Sequence, residues 1–491
     1  MVGGGSSPVI AVGSAAIDAT PEWVKAFAIR TFGTRDKLAL LVGIGVVLAI
    51  AAVAIGVVAA RRPRAGAIGL LVFGAVGVAA ALSRPAAGAG AAIPSIIGTV
   101  VGLIVYRRLM IAAALPASSA PPPPGSPEIA APPGPPGFDR RRLLRTGALT
   151  AAFAGTAGLI GQYLVRRADA TESRAAVRIP APADAAPLPP AGADLAIPGL
   201  SPFITTNDRF YRVDTALFVP SVNADTWTLR IHGMVDHVMT LNYERLLARP
   251  LIERDVTLTC VSNEVGGDYI GNARWIGAPL KDLLEEAGVH PGASQIVSRS
   301  ADGFTVGTPT AVAMDGRDAM LAVAMNGEPL PLEHGFPVRM VVPGLYGYVS
   351  ATKWLVDIEL STFEAFDAYW IERGWAQQAP IKTESRIDTP HDRARVHAGQ
   401  VAVAGIAWAQ HRGIDAVEVQ VDDGPWLPAQ LAEEDSVDTW RQWVYRWDAR
   451  PGDHRVAVRA TDGTGAEQIG SVVPPFPNGA TGDHTIDVRV S

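Results

Sequence analysis

"MNGEPLPLEHGFPVRMVVPGLYGYVSATKWL" runs from Met325 to Leu355 and sets His334, Arg339 and Lys353 around Gly344 and Gly347 in a strand–loop pattern. Glycines let backbone N–H groups approach an anion, and Arg and Lys hold phosphate through charge-assisted hydrogen bonds. Any one of these residues alone is an ordinary solvated loop charge. Two further segments set polar side chains beside strands: "TTNDRFYRVDT" (Thr205–Thr215) and "SADGFTVGTPT" (Ser300–Thr310). Together with the loop described next they point to a large anionic cofactor, which spacing alone does not name.

That loop is "LTCVSNEVGGDYIGNARW", Leu258 to Trp275, and it contains the only cysteine among 491 residues. A lone cysteine is commonly a small buried hydrophobe. Cys260, however, closes an apolar strand-like run and opens a Gly-rich loop, where a side chain is presented rather than packed away. A single cysteine excludes an internal disulfide, a Cys-rich zinc site and a Cys-ligated iron–sulfur cluster, and no C-x-x-C-H attaches haem. "HPGA" at His290 follows the helical "LKDLLEEAGV" and reads as a helix-ending turn. The net charge of −6 comes with no basic patch, so nucleic acid is not an expected partner.

Outward from the centre the chain divides by composition. Residues 1–37 form a Gly/Ser-rich start and a short amphipathic helix. Apolar stretches at about 38–60, 65–82 and 91–106, within 38–106, are transmembrane candidates. "RRPR" at Arg61–Arg64 and the pair Arg107–Arg108 mark the cytoplasmic side. A Pro-rich linker (107–139) leads to Arg140-Arg141-Arg142-Leu143-Leu144 and a Gly/Ala-rich apolar run, 140–165. This reads either as a fourth transmembrane helix or as a twin-arginine export signal, and both place everything after it outside. An Ala/Pro-rich tether is expected over 166–199, a globular domain over 200–384, and a period-two β-sandwich over 385–491. The fold class is α+β behind the membrane helices. Arg30, Arg35 and Lys37 lie on the outer side in this topology, against the positive-inside bias, so the natural start is expected upstream of Met1 with one further helix.

From Leu200 to Ser361 the chain resembles the molybdopterin-binding domain of the sulfite oxidase family, on "LTCVSN…GNARWIGAPL" and, more specifically, on the Met325–Leu355 run. The tail resembles that family's immunoglobulin-like dimerisation domain, and an actinobacterial branch of membrane-anchored relatives shares the layout. The resemblance implies a molybdenum–molybdopterin cofactor with Cys260 as the metal's thiolate, a soft donor for a metal–sulfur centre. It implies cofactor contacts from Asn207, Tyr211, Asp214, Thr215, Asp302, His334, Arg339, Ser350 and Lys353. The "GYVSATKW" loop is one residue longer than in the animal enzymes, which shifts the match at Tyr348 and at Ser350 by up to one position. Tyr369 falls where the family has an active-site tyrosine near the substrate oxygen.

One departure concerns the substrate. Sulfite-oxidising members place arginines after the metal cysteine and in the first segment, whereas here Cys260 is followed by Val261, Ser262, Asn263, Glu264 and Val265. With Asp214 and Thr215 this reads as an acidic, arginine-free mouth that disfavours a dianion. The expectation is therefore a membrane-anchored enzyme, multi-pass in the cell membrane with its catalytic domain on the extracytoplasmic side. It would transfer oxygen atoms with a sulfoxide, N-oxide or protein side chain rather than sulfite. Electrons would pass through a membrane or extracytoplasmic partner, since the chain offers no haem or iron–sulfur ligands, and the tail could form a homodimer. Two other classes fit less well: a membrane-tethered binding or scaffold protein on a pterin fold, and a cysteine hydrolase with His334 or His232 activating Cys260.

Overall fold

The computed structural model describes residues 36–83, 89–114, 170–216 and 218–491, together with 12, 13, 20 and 24. The chain divides into two compact units, residues 1–168 with 216–220, and 169–215 with 221–491. The proposed twin-arginine segment and most of the Pro-rich linker lie outside the described residues, as does most of 1–35.

In the first unit three helices, α1 (Asp36–Arg61), α2 (Pro63–Leu82) and α3 (Ile93–Ala114), are long and apolar enough to cross a membrane. The third continues past Arg107 and Arg108 instead of stopping before them. Small residues let α2 and α3 meet closely. A Cβ at Gly74 would collide with the Thr99 side chain, and one at Gly66 would come within 2.7 Å of the Tyr106 hydroxyl. That hydroxyl donates to the Pro63 carbonyl at 2.6 Å.

The second unit begins with α4 (Ala170–Ala176), and here the expected tether is corrected. Ala170 and Ala193 are buried, Arg174 donates to the carbonyls of Pro329 and Leu330, and residues 183–184 exchange backbone hydrogen bonds with 251–253. Small side chains and unpaired backbone groups let this run lie along a sheet edge and satisfy both partners.

Ten strands follow in the first part of the unit: β1 (Thr228–Gly233), β2 (Met239–Asn242), β3 (Ile252–Thr259), β4 (Ile270–Pro279), β5 (Gln295–Ser300), β6 (Thr305–Pro309), β7 (Met320–Met325), β8 (Glu328–Pro329), β9 (Arg339–Val341) and β10 (Leu355–Ser361). They make one sheet in the order β2-β1-β10-β5-β6 and another in the order β3-β4-β7-β8, with β9 on β7. Short helices α5 (Tyr243–Leu247), α6 (Leu280–Ala287) and α7 (Thr310–Met314) connect them. Helix α6 buries Leu280, Leu283 and Leu284, each contributing about 1.5–3 kcal/mol, and ends at Gly288 in the left-handed conformation. The "HPGA" that follows is a turn, with His290 on Asp236.

Nine strands form the rest: β11 (Glu384–Thr389), β12 (Ala394–Val396), β13 (Gly399–Trp408), β14 (Ile414–Val421), β15 (Leu427–Pro428), β16 (Gln430–Leu431), β17 (Arg441–Ala449), β18 (Gly452–Asp462) and β19 (His484–Val490). Sheets β11-β13-β17-β16 and β12-β19-β18-β14-β15 enclose a shared apolar core, a two-layer sandwich. Its inner strand β13 is buried on both faces from Val403 to Trp408. Val403 and Ala407 point into the sandwich core, while Ile406, Trp408 and Trp440 join the core of the preceding part. The period of two along β13 sends alternate side chains to the two cores.

Asn326-Gly327 joins β7 to β8 in a two-residue turn with φ +51° and +81°, the geometry such hairpins require. The Asn326 side chain also donates to the Thr205 carbonyl and Asn207 Oδ1 and accepts from Arg274 N–H. Asn326→Ala should therefore cost about 2–4 kcal/mol in urea denaturation, from backbone strain plus lost hydrogen bonds. Asn326→Gly, which keeps the turn, should fall between that variant and wild type, and equal stability of all three would contradict this role.

Candidate cofactor site

Strand β3 is buried on both faces from Val256 to Thr259, and Cys260 is the first residue beyond it. The loop it opens is tightly closed. Cys260 N–H donates to the Tyr269 carbonyl at 2.9 Å, Asn263 N–H to the Cys260 carbonyl at 3.0 Å, and Tyr269 N–H to Asn263 Oδ1 at 2.8 Å. Behind the strand Thr257 Oγ1 bonds Asn272 and accepts from Trp440 N–H, while Gln410 Nε2 reaches the Thr257 carbonyl and Thr259 Oγ1. The thiol is thus fixed by hydrogen bonds on both sides of its strand.

The Met325–Leu355 run folds against this thiol. Gly335, at φ +110°, brings the backbones on either side together: a Cβ there would lie 3.0 Å from Lys353 and 3.1 Å from Arg339. Gly347 sits over the Thr259 carbonyl and the Tyr211 hydroxyl, each 3.8 Å from where its Cβ would be. Lys353 Nζ bonds Asp214 at 2.7 Å, and Arg212 bonds the same carboxylate oxygen at 2.8 Å. Burial lowers Lys353 to about 8, with Asp214 opposing it. Burial raises the Cys260 thiol, while Ser262 and the charge of Lys353 pull it down. Such a thiol stays protonated until a metal displaces the proton.

Arg339 is the most informative group. It is 5% exposed, lies 4.9 Å over the Trp275 ring, and donates from Nη1 to the His334 carbonyl at 3.3 Å. Its Nε has no partner, and no carboxylate among the described residues pairs with it. Burial lowers even this guanidinium, to about 10. Removing a cation from water without an anion costs several kcal/mol, so the site is built for a buried anion. Residues and cofactor therefore fit: Arg339 and Lys353 would hold a phosphate, and Cys260 a soft metal.

The remaining expected residues divide. Asn207 accepts at its carbonyl from His334 Nε2 and at Oδ1 from Asn326, which places the first segment on the site. Tyr211 stacks on Phe210, and its hydroxyl is raised by burial and by Cys260. Thr215 is half-buried beside Asp214. Asp302 caps its own hairpin turn at Phe304 N–H, and Ala301 N–H docks that turn on the Trp354 carbonyl. Ser350 is different: it is fully buried, with its hydroxyl on the carbonyls of Leu345 and Tyr346, so its side chain braces the turn rather than facing a ligand. Tyr348 likewise donates to Ala376. Tyr369 packs with Phe304 and Trp370 under the Arg373 guanidinium, 3.6 Å from its ring centre. The tyrosines that feel Cys260 are Tyr211 and Tyr346, and Tyr346 was not anticipated. Its signal was the first tyrosine of "LYGY", immediately before Gly347. Asp214 does not make the mouth acidic either, because Arg212 and Lys353 pair with it. A hydrolase reading finds no support, since the Nε2 atoms of His334 and His232 bond Asn207 and Asp357.

Residues 216–370 match the family described as "Oxidoreductase molybdopterin binding domain", which takes in Cys260, Asp302, His334, Arg339 and Lys353. An uncharacterized oxidoreductase, YuiH, of Bacillus subtilis is 37% identical over 149 residues, 30% of this chain and 72% of that protein. The chain belongs to the sulfite oxidase family of molybdopterin-dependent oxidoreductases. The mitochondrial sulfite oxidase of Mus musculus is 30% identical over 323 residues, 55% of this chain and 58% of that protein. The chain thus spans less than two thirds of that relative's length. The sulfane dehydrogenase SoxCD from Paracoccus pantotrophus superposes with a TM-score of 0.52 at 23% identity, over 59% of this chain and 82% of that one, a likeness of fold. Membership in this oxidoreductase family sets aside the non-enzymatic scaffold.

His334 yields a test of this site independent of turnover. Burial holds its imidazole down at about 4, against 6.5 in an unfolded chain. Between those values the unfolded chain binds more protons, so stability is lost as pH falls through this window, by up to about 3 kcal/mol. His334→Gln should flatten this part of the stability–pH curve measured by urea denaturation, and an unchanged slope would contradict the burial argument.

Proposed function

We propose that this protein is a membrane-anchored, multi-pass molybdenum enzyme that transfers oxygen atoms on the extracytoplasmic side. Its oxygen donor would be a neutral sulfoxide, N-oxide or similar group, on a small molecule or a protein side chain, rather than sulfite serving as the reductant. The observation that carries the substrate reading is the loop after Cys260, Val261–Val265, which contains no cation. Arg386, which reaches the neighbouring Gly267 carbonyl, is committed to that carbonyl, Asp388 and Ser201. Arg373 lies on Tyr369. When bound, the cofactor supplies the two-electron chemistry. Asn207, Arg339 and Lys353 hold it, Cys260 ligates its metal, and the closed loop shapes the approach.

The three apolar helices support anchoring, and the arginine pattern supports the sidedness. The twin-arginine route, the actinobacterial layout, the immunoglobulin-like nature of the sandwich and a homodimer through it belong to the same proposal. So does an extracytoplasmic electron-transfer partner. Sulfite oxidation is a second reading, favoured by Arg212 at the rim of the site and by the activity named for the mitochondrial relative.

Two measurements test this function. With a chemical electron donor, the purified full chain should reduce sulfoxides or N-oxides faster than it oxidises sulfite, and Val265→Arg should improve sulfite binding by placing charge on the loop. Tight sulfite oxidation by the wild-type protein would select the second reading. Cys260→Ser should keep the fold, at a cost of about 1–2 kcal/mol, yet change the metal's electronic spectrum and lower turnover by orders of magnitude. Wild-type spectrum and turnover in that variant would remove Cys260 from the metal.

A further inference from the structure

Glu384 opens β11 and is only 4% exposed. Its Oε1 has no hydrogen-bond partner among the described residues. It stands directly opposite Trp408 in the β11–β13 ladder, and opposed side chains of an antiparallel pair share a face about 5 Å apart. The Trp408 indole N–H is likewise buried and unpaired, as is Oε1 of Gln410, two residues further on. Trp408 packs into the core that surrounds the cysteine strand, and Gln410 grips Thr257 and Thr259 immediately before Cys260. Three buried, unpaired polar atoms therefore cluster at this end of the β11–β13 ladder, and one of their side chains, Gln410, is bonded to the strand that presents the thiol.

The charged and titratable groups around Glu384 do not form a partner for a carboxylate. The Lys382 ammonium is occupied by Asn478 Oδ1 and the Gly479 carbonyl. Tyr346 accepts at its hydroxyl from Lys382 N–H at 3.4 Å. Thr383 is on Asp462, which is paired with Arg412, and Ser385 is on Gln468. Burial pushes the Glu384 carboxyl up to about 8, with Lys382 opposing, which favours its protonated form. Tyr346 is raised by burial, then by the charges of Glu384 and Cys260, and so lies within electrostatic reach of both.

We propose that Glu384 is the proton store of the Cys260 site, a buried carboxyl that releases its proton toward the site as oxygen leaves the substrate and is reloaded from solvent. This rests on the oxygen-atom-transfer reading above. Removing the oxygen takes two electrons from an external reductant and two protons and yields water; Glu384 supplies one proton and solvent the other. Glu384 touches no reacting atom and acts across Tyr346, so it is a positioning residue in this scheme.

The test uses the full-length holoenzyme. Infrared spectra should show the carbonyl stretch of a protonated carboxylic acid, shifted in D2O, lost as pH rises through about 8 and missing in Glu384→Gln. With reduced viologen and a sulfoxide or N-oxide, wild-type turnover should fall over the same pH range. Glu384→Gln should be at least tenfold slower at neutral pH with that limb absent and its molybdenum content unchanged, and Glu384→Asp should recover part of the rate. Burial also lowers Lys353, to about 8 in the cofactor-free chain, but an ammonium contributes nothing to the carboxyl band. Absence of the band in wild type, or a Glu384→Gln enzyme with wild-type rate and pH profile, overturns the proposal. If the protein oxidises sulfite instead, the substrate reading fails by itself. The store then acts in reverse, and the rate should rise through about pH 8 in wild type and not in Glu384→Gln.

Discussion

The guanidinium of Arg339 sits inside the protein with a tryptophan beneath it, one carbonyl at hydrogen-bond distance and, among the described residues, no carboxylate. A folded chain tolerates such a charge only if something else returns the lost solvation, and a bound phosphate does so. The other features of the site serve that arrangement. Gly335 brings Lys353 beside Arg339, and Asp214 with Arg212 holds the lysine in place. His334, kept neutral by burial, ties the first segment to the run through the Asn207 carbonyl. A cofactor held there would be an ionic partner of the fold as well as the source of its chemistry.

The thiol needs a different kind of support. A metal ligand must be held in position by rigid elements, and β3 is gripped by β4 on one side and by the Asp438–Trp440 segment on the other. That second grip comes from the sandwich part of the chain. Its inner sheet has one face in each core, so the tail packs as a wall of the cofactor unit. Glu384, Trp408 and Gln410 lie on that wall, which explains how Gln410 grips the cysteine strand although it is far from it in sequence.

Much of this was legible in the sequence because it is local. The strand end at Thr259, the glycines flanking the basic residues and the period-two tail follow from spacing alone. The identity of the cofactor came from resemblance. What the sequence could not show depends on pairing across long separations. Ser350 lies in a polar loop, yet its hydroxyl is consumed by carbonyls of its own turn. Asp214 reads as an acidic mouth until Arg212 and Lys353 are seen on it. The Ala/Pro-rich run after residue 169 has the composition of a linker, but its free backbone groups find a sheet edge. The segment that leads into Glu384 comes beside Tyr346 because residues 379–382 pair with the 344–346 loop.

Metal and pterin content measured alongside the stability of the cofactor-free protein for Arg339→Met tests the central claim most directly. A buried charge awaiting an anion should behave oppositely in the two measurements. The substitution should abolish retention of molybdenum and pterin together while leaving the cofactor-free chain as stable as wild type or more so. An Arg339→Met protein that keeps full cofactor, and whose cofactor-free form is strongly destabilised, would mean that the guanidinium serves the fold and not a bound phosphate.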